Sequence, residues 1–144
     1  MRPVPAVFVS LACIAPVRGP VVRHFDPPSC ERCAGHRGVT VATDPGTDVV
    51  AVADGAIRFS GSVGGRTYVV LQVSPGVLVT YGNVVGPVAG DTPVRKGDRV
   101  ASATDTTYLS VRVNGQHREP LRALGLARSR LVGPGNVGPA EGSR

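Results

Sequence analysis

The apolar residues of this chain come in short valine-rich runs, each closed within a few positions by glycine or proline. The sequence holds 26 Val, 19 Gly and 13 Pro, against eight Leu and two Ile. Valine is stiff at χ1 and suits a pleated surface, while Gly and Pro at this density cut the chain into turns. Long helices have no place in such a pattern. It predicts an all-β, antiparallel architecture, with at most one short helix near the C-terminus. A chain of 144 residues has enough length for one core but not for two. No apolar run reaches the ~18 residues of a membrane-spanning helix.

The runs fall in a regular order. Residues 17–25 are extended until Asp26-Pro27-Pro28 stops them. Two short Val-rich pieces, 38–42 and 49–53, flank the Asp44-Pro45-Gly46 turn. Runs at 56–62, 67–73 and 77–81 are separated by Gly64-Gly65 and Pro75-Gly76, which are hairpin signals. A loop at 84–94 leads to Lys96-Gly97-Asp98, and a last strand at 108–113 ends at Asn114-Gly115. Residues 120–126 read as one short helix, and 127–144 as a flexible tail rich in Arg, Gly and Pro.

Sixteen basic residues against ten acidic ones give a net charge of +6. They are spread along the chain, with neither a clustered basic stripe nor interleaved aromatics, which argues against a nucleic-acid partner. A polyanionic cell envelope is compatible with the charge. Residues 1–15 read as an export signal: Arg2 is a minimal charged start, the stretch from Val4 onward is apolar, and Ser10-Leu11-Ala12 is a small-residue cleavage site. The stretch is short for a signal, which would place its true start upstream. The alternative is that it forms the first buried strand. Cys13 after Ala12 makes an imperfect lipidation box, so contact with a membrane is expected only through the signal or a lipid on Cys13. The expected location is secreted or in the cell envelope.

Five motifs in order then carry a resemblance. They are Pro16-Val17-x-Gly19-x-Val21-x-x-x-Phe25; Gly35-His36-Arg37-Gly38-Val39; Gly46-Thr47-x-Val49-x-Ala51-x-x-Asp54-Gly55-x-Ile57; Thr80-Tyr81; and Lys96-Gly97-Asp98-x-Val100. Over residues 16–126 the chain resembles the lysostaphin/LytM-type peptidoglycan metalloendopeptidases, and within them short secreted actinobacterial members. The resemblance implies an open, barrel-like antiparallel β sandwich, the duplicated hybrid motif, whose groove holds one zinc and cleaves cell-wall cross-link peptides.

At the metal positions the sequence departs from that family. The family's His-x-x-x-Asp pair corresponds to His36 and Thr40, and its terminal His-Leu-His to Tyr108-Leu109-Ser110. A further family His, two residues after the Tyr of the central strand, corresponds to Asn83, which follows Tyr81. A hydrolytic zinc needs about three protein ligands and an open position, and a neutral hydroxyl is a poor substitute for a carboxylate. His36 is the sole retained ligand position. The expectation is therefore a monomeric, non-catalytic domain without a cofactor, binding peptidoglycan or regulating a cell-wall hydrolase. His36, Thr40, Tyr81, Asn83, Tyr108 and Ser110 would line its groove.

Two alternatives stand beside this reading. One is a zinc endopeptidase with non-standard ligands drawn from His36, His24, Cys30 and Cys33, which lie as His-x5-Cys-x2-Cys-x2-His. In an exported protein the two cysteines read first as a disulfide pinning the loop, with metal binding or free thiols as the other options. The second alternative is a generic β-rich carbohydrate- or protein-binding module.

Overall fold

The computed structural model describes residues 13–30, 34–126 and 130–131. Its strands are β1 (Gly19–Arg23), β2 (Val39–Ala42), β3 (Asp48–Val50), β4 (Gly55–Val63), β5 (Arg66–Ser74), β6 (Val77–Val85), β7 (Pro93–Val94), β8 (Arg99–Val113), β9 (Gln116–Arg118) and β10 (Arg130–Leu131). A single helical turn, α1 (Pro120–Ala123), follows β9. Among the described residues all pairings are antiparallel, in the order β10-β1-β2-β8-β6-β5-β4-β7, with β3 and β9 also paired to β8. The sheet stays open at both ends of this path, and the architecture is the all-β antiparallel one that the valine runs predict.

Period-2 alternation sorts each strand into two faces. Val39 and Val41 on β2, Leu109 and Val111 on β8, Val79 and Tyr81 on β6, and Val69 and Leu71 on β5 point one way and are fully buried. Val49, Ala51, Val52, Val100 and Ala101 close the core from the other side. At the C-terminal end, Glu119 caps α1 by accepting from the backbone N–H groups of Leu121 (3.3 Å) and Arg122 (2.8 Å). The turn so fixed lowers Leu121 and Leu124 into the core, each 1% exposed.

Three boundaries differ from the sequence reading. The final strand begins at Arg99 rather than near 108. After Val100 its first half runs Ala101-Ser102-Ala103-Thr104 without a further valine, and its extended form is imposed by pairing with β3 and with Val84 and Val85 of β6. In the stretch read as a tail, Arg130 and Leu131 pair with Pro20 and Gly19 on the edge of β1. At the other end, Ala15 is buried and the N–H of Ile14 donates to the Val52 carbonyl at 3.0 Å, so the fold takes up the chain from residue 13. Residues 1–12, which hold most of the export reading, lie outside the described residues.

Candidate functional site

The face opposite the core carries the residues of interest. Cross-strand partners share a face, so the register Thr40↔Tyr108, Tyr108↔Gly82, Gly82↔Tyr68 and Tyr68↔Gly61 sets one row across five strands. At ~4.8 Å per strand the row is roughly 19 Å wide. Ser110 stands two residues along β8 from Tyr108, on the same side.

Glycine makes room for the rings in this row. A Cβ on Gly82 would lie 2.8 Å from Tyr68 Cε2 and 3.1 Å from Tyr108 Cδ2, and one on Gly38 would lie 2.8 Å from Tyr108 Cε1. Opposite edges of the Tyr108 ring thus rest over two glycines on either side of β8. The ring lies flat across the sheet. His36 meets it edge-on, with ring centroids 5.5 Å apart and planes at 64°.

His36 is held by the loop that precedes β2. Its N–H and C=O exchange hydrogen bonds of 2.8 Å with those of Asp26, closing the loop at its neck. Within the loop Cys30 is disulfide-bonded, so its sulfur is not a thiolate that could take a metal. Cys33 lies outside the described residues. From this support His36 Nε2 reaches Thr40 Oγ1 at 2.9 Å. Burial lowers the imidazole's pKa, the Arg23 charge adds to that, and Asp26 opposes it. Burial raises the Tyr108 phenol's pKa, against a hydrogen bond with the Ser110 side chain, with Tyr68 raising it and Arg37 lowering it.

His36, Thr40, Tyr108 and Ser110 are therefore gathered on one face. Tyr81 is not among them. It occupies an odd position of β6 with Val77 and Val79, is fully buried, and accepts a 3.1 Å hydrogen bond from the Val52 N–H. The tyrosine that shares the outer row is Tyr68, which the family motifs do not single out. Asn83 sits at a break in the β6–β8 register with φ of +61°, and its Nδ2 donates to Thr104 Oγ1 (3.1 Å), Thr106 O (3.1 Å) and Thr106 Oγ1 (3.0 Å). Its amide stitches the bent part of β8. His24 is exposed at the end of β1.

Among the described residues no three His, Cys, Asp or Glu side chains gather at one point. The set on this face, one imidazole on the Thr40 hydroxyl with Ser110 bonded to Tyr108, does not fit a divalent zinc, which takes thiolate, imidazole or carboxylate. It can exchange hydrogen bonds with a polar ligand and stack against an apolar one.

The family model of peptidase family M23 matches residues 34–120. This chain belongs to peptidase family M23. Two mycobacterial proteins, Mb2915 of Mycobacterium bovis and Rv2891 of Mycobacterium tuberculosis, are each 40% identical to it over 81 residues, 55% of this chain. The match spans 32% of their length, about a third of the curated relatives. Helicobacter pylori Csd3 shares the fold at a TM-score of 0.70 and 20% identity, over 84% of this chain and 37% of that one. Lysostaphin does so at 0.66 and 17%, over 90% and 62%. A chain of the SpoIIIAH–SpoIIQ complex does so at 0.61 and 14%, over 71% and 90%. The M23 domain so defined includes His36, β2 and β8, and hence the whole row described above.

Proposed function

We propose that this M23 domain works outside the cytoplasm as a binding module without hydrolytic activity, holding peptidoglycan or a partner cell-wall hydrolase on its outer sheet face. The observation that supports this reading is the 2.9 Å contact between His36 Nε2 and Thr40 Oγ1. The nitrogen that a metal would require is satisfied by a neutral hydroxyl, and the next donor on the face, Ser110, is another hydroxyl. Losing two of three ligands removes far more affinity than the ~10–100-fold typical of second-shell changes. The flat Tyr108 ring and its hydroxyl-bearing neighbours remain as a surface for recognition. That a relative of the fold was solved as a complex, SpoIIIAH with SpoIIQ, agrees with a partner-binding role.

Metal analysis of the purified chain, run beside a cross-link hydrolysis assay and a pull-down on insoluble peptidoglycan, tests the reading. Expected are no stoichiometric zinc, no released peptide, and retention of the domain by the wall material or stimulation of a hydrolase. One tightly bound zinc per chain, lost together with hydrolysis in His36→Ala, would overturn it.

A further inference from the structure

The outer face extends beyond the residues shared with the family's metal site, and its far end is cationic. A shallow cavity of about 220 Å³ is lined by Arg58, Gln72, Gly76, Leu78, Arg112 and Gly115. The register Gln72↔Leu78↔Arg112 puts these side chains in a row parallel to that of Tyr68 and Tyr108. A bulge between Ile57 and Phe59 brings Arg58 to the same side, where its Nη1 donates to Gln72 Oε1. Among the described residues no carboxylate lies within ion-pair distance of Arg58 or Arg112. The Arg99–Asp48 pair is elsewhere. His117 stands opposite Arg112, and after burial the charges of Arg112 and Arg37 lower its pKa, a sign of the positive field there.

We propose that this face binds a carboxylate-bearing polysaccharide, with sugar rings stacked on Tyr108 and Tyr68 and a carboxylate held between Arg112 and Arg58. The four residue steps from Tyr108 to Arg112 span roughly 14 Å of strand, so the ligand is an extended chain and not one small anion. The strands beneath, β5, β6 and β8, are paired on both sides, so an extended peptide finds no backbone groups with which to add a strand. Flat rings offer a π face to the C–H side of a sugar, and Thr80, in the row between the rings and the arginines, offers a hydroxyl to a hydroxyl-rich chain. The inference rests on the reading that this face binds without cutting, and it names the chemistry of what is bound.

The test is titration of the intact chain with oligogalacturonate, followed by calorimetry and amide shift mapping. Neutral chito-oligosaccharide, poly-glutamate and oligo-dT serve as comparison probes. Expected is binding of the oligouronate that perturbs Tyr68, Tyr108 and Arg112, weakened about tenfold by Arg112→Gln and more by Arg58→Gln together with it. Both arginines are exposed, so these variants keep the fold. Tyr68→Leu should weaken binding as well. No binding of oligouronate, equal binding of poly-glutamate or oligo-dT, or indifference to the arginine changes would each overturn the proposal. If peptidoglycan still retains the domain while oligouronate does not bind, this inference fails and the binding reading stands. If neither binds and no hydrolase is stimulated, both fail.

Discussion

Replacing Tyr81 by Phe separates a core role for this residue from a groove role. The substitution removes one oxygen and leaves the ring in place. In the structure that oxygen is the acceptor for the Val52 N–H at 3.1 Å, and both residues are 0% exposed. Without it a buried backbone donor is stranded with no water at hand, which costs about 1–3 kcal/mol. For a domain of this size that is a fall in Tm of roughly 3–10 °C. Urea denaturation followed by circular dichroism reads the change directly, at unaltered m-value. Alkaline pH gives a second readout. Burial raises the folded-state pKa of this phenol, with the Val52 hydrogen bond opposing and Cys13 adding. The unfolded chain then releases the proton first, near pH 10, so stability holds below that value and is lost as pH rises above it. Tyr81→Phe should flatten this alkaline limb. An unchanged Tm together with weakened ligand binding would refute the assignment and return Tyr81 to the outer face.

Acid has the opposite sign at His36, whose pKa is lowered by burial first and then by Arg23. The unfolded chain takes the proton near 6.5 while the folded one resists it, so stability should decline as pH falls below that value, and His36→Asn should shallow the decline in a pH series of urea melts. Asn83→Gly keeps the left-handed backbone and deletes the amide that holds Thr104 and Thr106. A loss of about 1–2 kcal/mol is expected, and a neutral result in denaturant melts would mean the stitch contributes nothing. Thr40→Asp combined with Ser110→His places a carboxylate and a second imidazole beside His36, and calorimetry should then show zinc binding near one per chain. No gain in zinc affinity would mean that these three positions do not converge.

Much of the sheet was legible because valine alternates. In Val77-Leu78-Val79-Thr80-Tyr81-Gly82 the odd positions are all large and buried, with Leu78 the one apolar residue left on the even side, and the same beat in Val69, Leu71 and Val73 leaves Tyr68 and Gln72 outside. That alternation assigns Tyr81 to the core and Tyr68 to the outer row, whereas the family motif alone would place Tyr81 in the groove. The first half of β8 was illegible for a different reason. Ala101-Ser102-Ala103-Thr104 has weak β propensity, and only its partners on β3 and β6 make it a strand. The gathering of His36, Thr40 and Ser110 could be read from the motif spacing. The converging arginines could not, because Arg58 reaches the outer side through a bulge that no residue type announces.

The glycines under Tyr108 also bear on entropy. A tyrosine free on a surface loses rotamer freedom when a ligand settles on it, at about 0.5–1.5 kcal/mol for each side chain immobilised. Here Gly38 and Gly82 let the ring sink between neighbouring strands, and His36 abuts its edge, so that freedom is surrendered during folding. A ligand arriving at this face meets a surface already in its bound shape. Affinity there should respond less to the number of contacts than to whether those two glycines are kept.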